Sequence, residues 1–400
     1  MPSLCFYFQV HQPYRVRKFR VFDIGAGSPY FEEESNTDLN NKKVLLKVAD
    51  KSYRPATKVL IDLLKKYPEF KASFSFSGVA LEQMQKWAPD VISLFKEAID
   101  TGRVEVLSET YHHSLSFFYS KDEFEKQVKM HKDLVKRLFN VTPKVFRNTE
   151  LSYRNDLGEW AERSGYKGII AEGWDPFLGW RSPNFVYRPK GTKKIALLLK
   201  NYKLSDDVAF RFSSKSWAEW PLTAEKFGQW FSSINGNGET VNLFMDYETF
   251  GEHQWEDTGI FEFLKKLPEE ILKHKDNNFK TPSEVIESYD KRDEVDMPSI
   301  VTWADTDRDL TAWVGNDMQR AAIENIYALE NKVMNTGDKK LIDDWRKLLT
   351  SDHFYYMCTK WFADGDVHAY FSPYESPYEA FITYMNAVND LKIRIHNSLA

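Results

Sequence analysis

Seven short apolar runs punctuate the chain before residue 250: Leu4 to Val10, Ala72 to Phe76, Val104 to Leu107, Lys144 to Phe146, Gly168 to Ile170, Ile195 to Leu199 and Val241 to Met245. Some, such as Ile195-Ala196-Leu197-Leu198-Leu199, are apolar without alternation, which predicts strands buried on both faces. Between the runs the period changes to that of a helix. Ser120 with Glu123 makes a capping box ahead of Phe124, Val128, His131, Val135 and Leu138, and Asp90 precedes Val91, Phe95 and Ala98, with a stop near Gly102. Strand and helix in alternation predict an α/β fold with parallel strands and crossover helices. Polar and aromatic residues crowd after nearly every run rather than at one point of the order, which favours a barrel over an open sheet.

Thr281-Pro282 with Glu284, and Ser376-Pro377 with Glu379, place proline in the first turn of two later helices. From about residue 316 the pattern is purely helical. Its last stretch repeats Phe381, Tyr384, Met385, Val388, Leu391 and Ile395, a one-sided stripe suited to packing on the barrel. The charged run Lys291 to Asp296 is the linker candidate, so the expected division is a barrel over 1–295 and a helical domain over 296–400 that contributes to the site.

Composition narrows the function. With 54 basic and 59 acidic side chains interspersed, no basic face is available for phosphate, and nucleic acid is excluded as a partner. Cys5 and Cys358 are too few for a disulfide framework and lack zinc-like spacing; both read as inert core thiols. The chain begins without a basic leader and has no bilayer-length apolar stretch, so a cytoplasmic protein with no membrane partner is expected. Aromatics make up 15% of residues. Beside carboxylates such an excess suits carbohydrate, whose flat apolar faces pack on rings while the hydroxyls seek polar partners, although large barrels also bury many aromatics.

In a parallel barrel the residues just past the strands converge on one face. The segments that qualify are His11-Gln12-Pro13, Gly78 to Gln83, Glu109 to His113, Phe146 to Glu150, Met245 to Trp255 and Thr302 to Asp309. Retaining glycoside hydrolysis needs two carboxylates in opposite protonation states. Glu150 follows Arg147 and Asn148, a cation and an amide that would keep it ionised as a nucleophile. Asp246 stands in Leu243-Phe244-Met245-Asp246-Tyr247, an apolar setting that raises a carboxyl pKa and suits a general acid. Glu248 lies two residues on and shares its face, so this reading leaves the two open. Trp174 and Trp255 are candidate sugar platforms or core residues.

These segments resemble the five ordered sequence regions of glycoside hydrolase family 57, in the order His11-Gln12-Pro13, Gly78 to Gln83, Phe146 to Tyr153, Met245 to Trp255 and Trp303 to Gln319. Phe-Arg-Asn-Thr-Glu-Leu and Met-Asp-Tyr-Glu-Thr-Phe-Gly-Glu-His are most similar to the α-amylases of that family. The resemblance implies an incomplete TIM-like (β/α)7 barrel with an all-helical C-terminal domain, a retaining mechanism without cofactor or metal, and α-1,4-glucan or maltooligosaccharide as substrate. It places Glu150 at the nucleophile position and Asp246 at that of the acid/base, and it marks His11 and Glu82 as substrate-binding positions together with one aspartate of the segment 305–309, of which Asp305 is favoured.

Two other readings compete. A 4-α-glucanotransferase would use the same pair, its glycosyl-enzyme being intercepted by a sugar hydroxyl instead of water. A metal-dependent polysaccharide deacetylase would draw on His11, His112, His113 and His253 beside strand-end acids. Against it, the segment after the first run is His11-Gln12-Pro13, and proline cannot ligate.

Overall fold

The computed structural model describes residues 2–360 and 367–400. Its ten strands are β1 (Ser3–Val10), β2 (Ala72–Phe76), β3 (Val104–Val106), β4 (Val145–Arg147), β5 (Gly168–Glu172), β6 (Arg188–Pro189), β7 (Ala196–Lys200), β8 (Thr240–Asp246), β9 (Asn278–Phe279) and β10 (Glu294–Val295). All seven apolar runs are therefore strands, joined by helices in the α/β manner. One parallel sheet has the order β3-β2-β1-β8, with β9 also on β1; a second has the order β4-β5-β7. The sheets meet where Ser108 pairs in parallel with Phe146, and again where the Asn201 amide donates to the Asn242 carbonyl at 2.9 Å. Seven parallel strands thus follow one another round, and every residue of β1, β2, β5 and β7 is buried, as the apolar run of β7 leads one to expect.

Rings dominate the main core. Phe74 meets Tyr247 edge-on at 4.9 Å, Phe76 meets Phe95 at 4.8 Å, and Phe8 meets Phe250 at 5.6 Å, the edge-to-face arrangement that aromatic quadrupoles favour. A second apolar cluster gathers the helices Asp317–Tyr327, Lys339–Leu348 and Pro377–Leu399 around Trp345 and Tyr384, and takes in Val16, Phe19 and Tyr30 from the start of the chain. Cys5 and Cys358 are buried free thiols. No helix of the described residues is long and apolar enough to cross a membrane.

Two local expectations differ from the structure. Lys291 to Asp296 is no free linker: β10 pairs with β6, the Arg188 amide donates to Asp293 O, and Arg181 and Lys190 pair with Asp293 and Asp296. Its charges are spent on these partners, which a one-dimensional charge run conceals. The box at Ser120 is half formed. The Ser120 hydroxyl accepts from the Glu123 amide, but the Glu123 carboxylate turns to Arg346 at 2.8 and 3.1 Å, a charged partner stronger than a backbone N–H. At Thr281 and Glu284 both halves are present.

The loop after β8 is pinned by a close backbone approach. Gly251 has φ 110°, and a Cβ there would stand 1.9 Å from the Lys51 carbonyl oxygen. Lys51 lies in the helical turn Ala49–Tyr53, so only glycine lets this loop close on that turn. Gly251→Ala should therefore cost roughly 2 to 5 kcal/mol, combining a forbidden φ with backbone overpacking. Gly337→Ala, at φ 63° in open space, should cost about 1 kcal/mol. Urea denaturation of both variants checks the order, and equal losses would contradict it.

Candidate active site

A cavity of about 680 Å³ opens at the C-terminal ends of the parallel strands, a volume suited to a small organic ligand. β1 leads to His11, β4 leads to Glu150 and β8 ends in Asp246; all three residues line this cavity. Asp246 sits beside Gln9 in the β1–β8 register, which brings the first and last of the seven strands together at the mouth.

Glu150 occupies a left-handed backbone position, φ 59° and ψ 27°, in the turn Thr149–Leu151. Such a conformation costs about 1 to 3 kcal/mol in a non-glycine residue and persists only where the surroundings impose it. Here they do. Asn148 donates from Nδ2 to Ser152 O at 3.1 Å, and the Ser152 hydroxyl donates to Thr149 O at 2.5 Å, closing the turn. The result is a carboxylate aimed into the cavity with three donors: His113 Nε2 at 2.9 Å and the Ser351 hydroxyl at 3.3 Å on Oε1, and Trp303 Nε1 at 2.8 Å on Oε2.

Charge explains the rest. His113 bonds through Nδ1 to Glu109 at 3.3 Å, and Glu109 accepts from Gln9 Nε2 at 3.0 Å and lies 3.9 Å from the Arg147 guanidinium. Glu109, Arg147 and His113 are buried. Burial alone would strip the proton from His113, but its bonds to Glu109 and Glu150 outweigh that and lift its pKa to about 9. Burial would likewise favour the neutral acid at Glu109; the His113 bond and Arg147 instead bring it down to about 2. At Glu150 the same two cations overcome burial and hold the carboxyl below its ordinary value. Asp246 goes the other way, raised by burial and then by the negative charge of Glu150. Glu248, buried with its carboxylate on the Tyr53 hydroxyl and the His11 amide, is also raised, first by burial and then by Asp246.

His11 is held at both ring nitrogens, by Ser77 Oγ at 2.7 Å and by Asp352 Oδ2 at 2.9 Å, and stacks on His113 with centroids 3.9 Å apart. His11, His113 and Asp352 form the one cluster among the described residues that could accept a metal ion. Each imidazole nitrogen there already has a partner, and His113 is held as the imidazolium. A cation would have to displace that proton and the bond to Glu150.

Asp305 also lines the cavity, at φ 56°, with its carboxylate on His368 Nε2 at 3.1 Å. Glu82, Trp174 and Trp255 stand outside the cavity wall. Glu82 accepts from the Tyr111 hydroxyl at 2.7 Å, Trp174 packs against Phe177, and Trp255 is 57% exposed beneath the Lys51 ammonium. Sequence reasoning did not single out Ser351 or Asp352. The signal there, Thr350-Ser351-Asp352, reads as an ordinary helix start ahead of Ser351–Tyr355. It reaches the cavity because Ser114 pairs with Thr350 and the Ser351 amide donates to His113 O.

The family model of glycosyl hydrolase family 57 matches residues 5–298. A protein of Methanocaldococcus jannaschii that carries a provisional α-amylase name is 42% identical over 99% of this chain and 85% of its own length. Among solved structures, a family 57 branching enzyme of Thermococcus kodakaraensis aligns with TM-score 0.67 at 15% identity, over 92% of this chain and 87% of that one. A 4-α-glucanotransferase of Thermococcus litoralis aligns with TM-score 0.66 at 17% identity, over 88% of this chain and 56% of that one. At such identities the two structures speak for the fold.

The His113 charge is testable by titration. Its folded pKa is raised, so the stability it contributes is present below an ordinary imidazole pKa near 6.5 and is lost as pH rises through about 9. Glu109→Gln should lower the His113 pKa by about one unit or more, read from the imidazole carbon resonance. It should also flatten the loss of thermal stability between pH 7 and 9.5. An unshifted resonance would show that Glu109 does not hold the proton.

Proposed function

The chain belongs to glycosyl hydrolase family 57, and on that premise we propose that it is a retaining α-amylase-type hydrolase of α-1,4-glucan, with Glu150 as nucleophile and Asp246 as acid/base. The observation that carries this reading is one cavity whose wall holds Glu150, its pKa lowered, and Asp246, its pKa raised, with Glu248, also raised, two residues on. That difference is what double displacement requires at its start.

In the first step Glu150 attacks the anomeric carbon while Asp246 gives its proton to the departing glycosidic oxygen, leaving a glycosyl ester on Glu150. Asp246, now a carboxylate, takes a proton from water as that water attacks the same carbon and frees Glu150. The imidazolium of His113 keeps Glu150 ionised between turnovers, and Trp303 fixes its second oxygen. His11 and Asp305 contact the sugar bound beside the pair. In the same reading the seven strands form an incomplete (β/α)7 barrel, and the helices after residue 296 form a separate domain that lends Ser351 and Asp352 to the cavity.

Digestion of maltoheptaose and amylose should give shorter sugars with rising reducing ends and fresh product of retained configuration. Longer oligomers at constant reducing ends would mean a transferase, and inverted product would remove the two-step mechanism. Prolonged chelation should leave turnover intact; a loss restored by added zinc would sink the metal-free mechanism.

Glu150→Ala should abolish turnover on every glycoside. Asp246→Ala should lose roughly 10²- to 10⁴-fold on glucan but less on an aryl glycoside, whose leaving group scarcely needs a proton. Loss at Glu248→Ala with activity kept at Asp246→Ala would move the acid to Glu248. In wild type, kcat/KM should fall on the alkaline side as Asp246 deprotonates, through a pKa above the ordinary aspartate value, and on the acid side as Glu150 protonates, below the ordinary glutamate value.

A further inference from the structure

Among the described residues that line the cavity, Phe210 and Phe371 are the large apolar side chains left open to water, 59% and 36% exposed. Single exposed apolar residues are ordinary on a surface. Two phenyl rings on the wall of one cavity, beside two carboxyl groups, are a different case, because the flat faces of a sugar are what such rings bind.

Their attachment tells which sugar. Phe210 follows the helix Tyr202–Ala209 and Phe371 ends the helix Val367–Phe371, and both segments are held against the loop that follows Asp246. Buried Gln254 donates from Nε2 to the Ala209 carbonyl at 2.9 Å, fixing the backbone next to Phe210. His253, itself on the cavity wall, meets the Phe371 ring edge-on at 5.4 Å and Tyr370 at 6.2 Å. The groups that hold Glu150 come from elsewhere: His113 after β3, Trp303 and Ser351 from later segments. In a double displacement the proton donor stands on the side of the leaving oxygen, so rings held against the loop of Asp246 flank the departing sugars.

We infer that Phe210 and Phe371 form an aromatic platform for the leaving-group half of an α-glucan, and for the sugar acceptor that competes with water for the glycosyl-enzyme. This rests on the retaining α-glucan reading above. The occupant is the continuation of the same glucan chain out of the cavity. The platform governs chain-length preference and the partition between hydrolysis and transfer, since a sugar retained there is positioned to attack in place of water.

The test compares wild type with Phe210→Ala, Phe371→Ala, Phe210→Trp and Phe371→Trp on maltoheptaose and on α-maltosyl fluoride, with maltose as added acceptor. Fluoride leaves without occupying a sugar platform. The alanine variants should lose about tenfold or more in kcat/KM on maltoheptaose, mainly through KM, and no more than about twofold on the fluoride. Transfer to maltose should fall relative to hydrolysis, and tryptophan should restore both. Equal losses on the two substrates, or no loss on either, would overturn the platform. A wild-type protein inert on both substrates would instead overturn the α-glucan reading, and the platform with it.

Discussion

A buried imidazolium holds this site together. His113 lies buried between Glu109 and Glu150, and the Arg147 guanidinium closes the group from behind. Isolated charges in such surroundings are costly, and they persist when each has a partner within hydrogen-bond reach. Two cations and two carboxylates balance here, which makes the four residues interdependent: removing one leaves its neighbour a buried charge without compensation. The strained backbone at Glu150 belongs to the same economy, since three donors on its carboxylate fix a conformation that the chain alone disfavours.

The same arrangement separates two carboxyl groups that burial would otherwise treat alike. Among the described residues Asp246 has no hydrogen-bonded cation like the one on Glu150, and it feels the charge of Glu150 as a repulsion. Burial and mutual repulsion draw the Asp246–Glu248 pair toward the protonated form, while Glu150 is drawn away from it. The difference arises from one hydrogen bond and the position of one ring rather than from residue type, since aspartate is intrinsically the stronger acid of the two.

Three remote segments complete the wall. Val301 pairs with Tyr153 in an isolated bridge and carries Trp303 onto Glu150; Thr350 pairs with Ser114 and carries Ser351 and Asp352 to Glu150 and His11; Lys200 and Arg308 join Asp206 and Glu172 along the far side. The first two are short backbone attachments that deliver side chains, and the third is a group of ion pairs. Loops on a rigid strand frame can do this because the frame fixes where they start, while their tips remain free to be pinned individually, as Gly251 is against Lys51.

The strands were legible in the chain because burial concentrates apolar residues in short local runs, without alternation in β7 and with interleaved serines in β2, and each of the seven runs became a strand. Glu150 and Asp246 were legible as strand-end acids for the same reason: their place follows from the strands before them. What the local pattern could not hold was partnership. Glu123 satisfies a capping motif yet bonds Arg346, 223 positions away. Trp255 looks like a sugar platform, but its ring carries Lys51 outside the cavity, while Phe210, in an unremarked stretch, lines it. Asp352 reads as a helix start and holds His11 across 341 positions. Periodicity reports how a residue sits relative to its own neighbours in the chain; protonation, ion pairing and the lining of a cavity depend on groups 3 to 4 Å away in space, and only the tertiary structure decides which these are.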